Sequence, residues 1–182
     1  MGLFTRKSQA AIRPPSRAAG GITVNVVEDT HSFDGDDGTR WWSNGYAPVH
    51  VDDDGEYHFA ILGESLGDGS VLYCKVAGTR HYEPAVADPR VRPGITVELR
   101  PEPNNPYDPA AVGVWETQSG MQLGHVPADF CGDVSARIRA GERLEGYVVR
   151  EIRRDSKSGP RTALHLLVAP ADELKLALVE DS

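Results

Sequence analysis

Residues 101–110 read PEPNNPYDPA, a stretch that sets a phenol, a carboxylate and two amides among four prolines. Tyr107 and Asp108 are neighbours in it. A tyrosine face stacks on any nucleobase, a contact worth about 1–3 kcal/mol per base. A carboxylate beside that ring repels a chain phosphate but accepts a charge-assisted hydrogen bond from a hydroxyl. The pair therefore suits the hydroxyl end of a strand better than its interior. A second group, Arg80 and His81 in GTRHY, follows a short apolar run, where a cation on a turn can meet phosphate. A third, His125 in LGHVP, precedes an expected helix start, where free backbone N–H groups favour an anion. Each has a structural alternative: Asp108 caps its own turn, Tyr107 plugs a barrel end, Arg80 is a surface cation and His125 a satisfied histidine.

Other chemistries find little footing. His81, Asp108, Ser119 and His125 have no spacing that demands a hydrolytic set, and no G-x-S-x-G elbow occurs. His50, His58, Cys74 and Cys131 fit no standard zinc pattern, and VDDDGE lacks the spacing of a calcium-binding loop. There is no GxxxxGK[ST] stretch to drive ATP hydrolysis and no C-x-x-C pair for a zinc module. The expectation is a protein that is not an enzyme and uses no metal or cofactor.

The elements that must position these groups are mostly strands. Pro103, Pro106 and Pro109 restrict φ and withhold backbone donors, while Asn104 and Asn105 can satisfy nearby backbone groups. The result is a stiff platform between two β-rich runs, ITVELRPE and AAVGVWE. AAVGVWE and MQLGHVP read as a hairpin across TQSG, and YAPVHV and EYHFAIL as another across DDDG. Val126, Phe130, Val134 and Ile138 recur at helical spacing, with Pro127 placed to start a helix and Gly141 to end it. ERLEGYVVREIRR and RTALHLLVAP read as two further strands, and ADELKLALVED as a terminal helix. Residues 79–94 read as a long loop, and Trp41 and Trp42 as cover for an apolar face. Strands, one helix, then strands implies a mainly β, β-rich α+β chain: a small antiparallel barrel or curved sheet with a helix closing one end.

The chain has 182 residues and a net charge of -8. That charge argues against a generic nucleic-acid binder. Its distribution does not: residues 1–74 carry net -6 and 171–182 net -3, while 75–170 carry net +1, with eleven arginines against two lysines. Arginine's planar fork suits phosphate. The expected organisation is a disordered basic tail and acidic linker over 1–40, an accessory β-hairpin over 41–70, the main domain over 71–170 and an acidic tail over 171–182. No apolar run is long enough to span a membrane and no secretory h-region is present, so a cytoplasmic protein is expected.

VAGTRHY at 76–82, VELRPEPNNPYDPAAVGVW at 97–115 and MQLGHVP at 121–127, followed by the helix, resemble the HIRAN domain family over about residues 71–170. The resemblance implies an OB-like modified β-barrel that binds DNA; in a fork-remodelling member the domain captures the 3′-hydroxyl end of single-stranded DNA. It implies that Arg80 lines the DNA pocket, Tyr107 stacks, Asp108 receives the terminal hydroxyl and His125 lies near the end phosphate. His81, Tyr82 and Asn105, in the same motifs, complete the set of DNA-binding candidates. Two positions depart from that member: His81 stands where it has a stacking tyrosine, and Ala128 where it has a phosphate-contacting lysine. The expected function is recognition of single-stranded DNA, at its 3′-hydroxyl end, in repair, replication or defence. Single-stranded DNA ends, and helicase or nuclease proteins on separate chains, are the expected partners. The alternative is a protein-interaction domain that has lost DNA affinity, because an acidic segment such as 1–74 can occupy a basic groove.

Overall fold

A computed structural model describes residues 21–35, 38–155 and 161–179. The expected disorder of 1–21 therefore falls almost entirely outside the described residues. Twelve strands form one extended sheet, with order β12-β1-β3-β10-β11-β6-β5 and side branches of β2 and β4 on β3 and of β7, β8 and β9 from β10. The strands are β1 (Ile22–Glu28), β2 (His31–Asp34), β3 (Arg40–Val51), β4 (Tyr57–Phe59), β5 (Ser65–Leu66) and β6 (Val71–Lys75). They continue as β7 (Thr96–Pro101), β8 (Val112–Glu116), β9 (Gln122–His125), β10 (Leu144–Asp155), β11 (Arg161–Pro170) and β12 (Leu174–Leu178). A one-turn helix α1 (Glu83–Val86) and the main helix α2 (Ala128–Arg139) complete the chain. The mainly β class with one principal helix is as expected.

The β10–β11 hairpin is the shared wall of two cores. On one side Val148, Leu164, Leu166 and Val168 pack with Val97, Leu99, Val112 and Val114 beneath α2, whose Cys131 and Val134 point inward. On the other, Tyr147, Val149, Leu167 and Ala169 meet Val24, Val26, Tyr46, Leu174 and Leu176. Burial on both faces is why LHLLVA runs apolar almost without interruption. The barrel half, β6-β11-β10-β7-β8-β9, does not close by a ladder of strands. Its two edges meet at a single antiparallel bridge, Ala77 with His125, each amide donating to the other's carbonyl.

β3 belongs to both layers. Its first half pairs with β10, from Arg40 opposite Asp155 to Gly45 opposite Arg150, and its second half pairs with β1. Gly45 is the crossing point. Its φ is 122°, and a Cβ there would sit 2.3 Å from the Val149 carbonyl oxygen, so only glycine permits this passage.

Several segments differ from their reading as peripheral. Within the expected 1–40 tail and linker, GITVNVVE forms the short strand its β-rich run allows, at 22–28, and 31–34 form a second strand. In the stretch read as a terminal helix, and as an acidic tail over 171–182, residues 174–178 form β12, which runs parallel to β1 from Ile22 opposite Leu174 to Val26 opposite Leu178. Burial of Leu174 and Leu176 in the second core decides the matter. The expected long loop at 79–94 folds into a 3₁₀ turn (Thr79–His81) and α1, because Val86 and Val91 enter the barrel core. The 41–51 segment supplies the layer-crossing strand as well as the expected hairpin with β4. Trp41 and Trp42 fall on opposite faces of β3, with Trp42 37% exposed. Among the described residues, no helix is long and apolar enough to cross a membrane.

Candidate functional site

The expected site residues fall along one rim of the barrel, at the Ala77–His125 bridge. β8 and β9 form the hairpin read from the sequence, with Gly113 opposite His125. The 102–111 loop is closed at its base by the Glu102 amide, which donates to the Ala111 carbonyl at 2.8 Å, and internally by the Asn105 amide to Glu102 and the Ala111 amide to Asp108. Pro127 caps α2, and Gly141, at φ 93°, ends it in the left-handed region.

The platform is held from within. The Asn105 side-chain oxygen accepts from the Tyr107 amide at 3.0 Å and the Asp108 amide at 3.3 Å. Its amide nitrogen donates to Glu102 at 2.9 Å. Tyr107 itself touches almost nothing, with 95% of its surface exposed. A phenol that plugs a barrel end would be covered, so that alternative is excluded for Tyr107. Asp108 does serve its turn: one oxygen accepts from the Ala110 amide at 2.8 Å and the other from the Cys131 thiol at 3.1 Å. The Ala110 and Cys131 hydrogen bonds hold its carboxyl below the usual range. Burial first, then Asp108, pushes the Cys131 thiol up, so it stays protonated and donates. An ionised carboxylate retains further acceptor capacity beyond these two bonds.

Glu102, which the sequence reading passed over, is the hub. It accepts from Asn105, from Gln122 at 3.1 Å and from His125 Nε2 at 3.1 Å. A carboxylate only accepts, so the His125 Nε2–H is the donor in that contact. Burial alone would raise the Glu102 carboxyl, but hydrogen bonds from Asn105, His125 and Gln122 outweigh it and hold it low. Gly113 makes room, since a Cβ there would lie 2.5 Å from Glu102 Oε1. Any positive charge on His125 is therefore answered by Glu102. Tyr82 packs its ring edge-on against His125, centroids 6.0 Å apart. Tyr82, His125, Glu102, Asn105, Tyr107 and Asp108 thus form one contiguous set. Arg80 and His81 precede Tyr82 on the exposed 3₁₀ turn, and the Arg80 Nε donates to His81 Nε2 at 3.1 Å. No described carboxylate pairs with Arg80, which leaves its charge available to an anion.

Glu102→Ala should lower stability by about 1–3 kcal/mol, since it strands two partly buried donors and a histidine. Chemical denaturation measures that loss. Amide exchange at Tyr107 and Asp108 should accelerate, and Asn105→Ala should reproduce the acceleration. Unchanged exchange at both amides would show that the platform does not depend on the hub.

His50 and His58 face each other in register across the β3–β4 turn, but His50 contacts Glu64 and His58 lies near Asp52. Cys74 and Cys131 are buried in the barrel core, and no cluster that could hold a metal occurs among the described residues.

The HIRAN domain family model matches residues 70–166. No curated protein matches the chain. Two solved structures are similar to it. A protein from Lactobacillus plantarum is 26% identical, over 53% of this chain and 89% of that one, with a TM-score of 0.41. The HIRAN domain of human HLTF is 22% identical, over 57% of this chain and 79% of that one, with a TM-score of 0.39. β1 to β5 and β12 lie outside the matched stretch.

Proposed function

We propose that this chain, which belongs to the HIRAN domain family of DNA-binding modules, recognises single-stranded DNA at its 3′-hydroxyl end. The carrying observation is Tyr107, a ring left bare on a loop whose backbone is fixed by Asn105. An exposed ring carried on a fixed backbone is a stacking surface for a base, and ordering that backbone in advance lowers the entropy lost on binding. Asp108, ionised and held beside it, favours a terminal hydroxyl over a terminal phosphate. Arg80, without an acidic partner among the described residues, supplies the phosphate contact. In this reading the site's role is to bind a strand end. Its action would be to present a strand end to repair, replication or defence enzymes on other chains.

The test is a fluorescence-anisotropy titration with labelled oligonucleotides that differ only in the terminal group. The 3′-hydroxyl end should bind several-fold more tightly than the 3′-phosphate end, with a dissociation constant on the order of micromolar, about -8 kcal/mol. Equal affinities would remove the end-recognition claim. Absence of binding at low salt would favour protein recognition, for which Phe59, Ile61 and Leu62 offer an exposed apolar patch.

A further inference from the structure

Beyond the barrel, β2, β3, β10 and β11 continue as an arm, of which β2 and β3 lie outside the stretch that matches the family. Strand alternation sorts its side chains by chemistry. Phe33 lies opposite Trp41, and Trp41 opposite Arg154. The Phe33 and Trp41 rings are 6.0 Å apart and within 6° of parallel. His31 extends the row on one side, 5.9 Å from Phe33 at 22°. The Arg154 guanidinium lies 4.9 Å from the Trp41 centroid and extends it on the other. Phe33 is 51% exposed, which leaves the row open to solvent.

Among the described residues, the acids on the arm's strands fall on its other face. Asp34 pairs there with Arg40, and Glu151 with Arg153. On the aromatic face the described carboxylate, Asp29, sits at the base of the arm and is answered by Arg150, Ser43 and His31. Arg154 has no acidic partner among the described residues, and its Nε has no hydrogen-bond partner among them. Among the described residues, Arg150 and Arg154 on this face therefore stand against the one carboxylate of Asp29.

The face is also continuous with the rim described above. Lys75, the exposed last residue of β6, lies opposite His165 of β11, which lies opposite Arg150 of β10. The Val76 amide bonds to Leu164, and two residues later the chain enters the turn that carries Arg80. From Arg150 to Arg154 along β10 is about 13 Å. Cations at Arg80, Lys75 and Arg154 thus mark a path from the end site to the aromatic row.

We propose that this aromatic face binds unpaired nucleotides of the same DNA strand whose end the barrel rim receives. Bases stack on aromatic side chains without regard to sequence, and a neighbouring arginine adds cation–π attraction and a phosphate partner. This inference rests on the DNA-binding reading, and it lengthens the site from a terminal nucleotide to a strand.

The experiment compares oligonucleotides of about 4 and about 16 nucleotides, lengths that bracket the site sizes of small barrel modules, with the same free 3′-hydroxyl. The Phe33→Ala/Trp41→Ala protein should bind the long strand about tenfold or more weakly and the short strand as the native protein does. Phe33→Ala alone, at a position too exposed to threaten folding, should show the same length dependence in smaller degree. Arg154→Gln should lower the salt dependence on the long strand only. Unchanged affinity of the double variant at both lengths overturns the proposal while leaving end recognition standing. Equal loss at both lengths also overturns it and points to a damaged barrel. Native protein that binds neither length overturns both readings together.

Discussion

Acidification from about pH 6.5 to pH 4 should cost the protein about 3 kcal/mol of stability through His165 alone. His165 lies on the shared wall, 6% exposed, and its Nδ1 shares a hydrogen bond with the Tyr73 hydroxyl at 2.8 Å. Burial first, then the positive charges of Arg150 and Lys75, push its pKa down from 6.5 to about 4, against a weaker opposite pull from Asp29. The folded protein therefore holds the ring neutral over a range in which the unfolded chain takes up a proton. Its contribution is complete above pH 6.5, shrinks as pH falls and levels off below pH 4. Denaturant titrations at several pH values measure this, with a slope approaching 1.4 kcal/mol per pH unit near pH 5. Carboxylates add losses at the acid end, so the informative quantity is the difference from His165→Gln, which retains an acceptor for Tyr73 but cannot titrate. If native and variant proteins lose stability in parallel between pH 6.5 and pH 5, His165 is not held neutral.

How much of this was legible follows from distance along the chain. The β10–β11 hairpin and α2 were readable because their signals are local: an apolar run bounded by DSKSGP, and Val134 and Ile138 at helical spacing after a proline. The platform's stiffness was readable for the same reason, from its prolines and asparagines. The role of Glu102 was not, because its partners Gln122 and His125 lie 20 and 23 residues away. Nor was the thiol of Cys131 at Asp108, also 23 residues distant. LKLAL at 174–178 is ambiguous in itself. Its leucines alternate as in a strand, while the first and last also stand four apart as in a helix. A parallel partner some 150 residues upstream settles the choice, and no local pattern reports that partner. The same integration bears on residues 28–56, part of the acidic 1–74 segment expected to be able to occupy a basic groove. Tyr46, Ala47 and Val49 within that span are buried, so its deletion would open the second core rather than unmask a basic face.

The sharpest test of function is an exchange of end-group preference at Asp108. Tyr107→Ala should first weaken binding of every single-stranded oligonucleotide by about 1–3 kcal/mol, because stacking is sequence-tolerant. At 95% exposure the ring makes no contribution to the core, so the unfolding midpoint should not move. Asp108 needs a subtler change, since alanine would also delete the bond to the Ala110 amide. Asp108→Asn keeps an acceptor for that amide and removes the charge, while the Cys131 thiol, which its amide nitrogen cannot accept from, keeps the Ala128 carbonyl as acceptor. It should cost about 1–3 kcal/mol of affinity for a 3′-hydroxyl end, the range of a hydrogen bond to a charged group. The same variant should bind a 3′-phosphate end as well as the native protein or better, because the like charge is gone. Arg80→Ala should lower the salt slope by about 0.7 on single strands, the signature of one lost phosphate contact. A turn damaged by the substitution would weaken both ends alike and lower the unfolding midpoint. A reversal of preference with an unchanged midpoint admits only the electrostatic explanation: the carboxylate beside the ring selects a hydroxyl by attracting it and rejects a phosphate by repelling it.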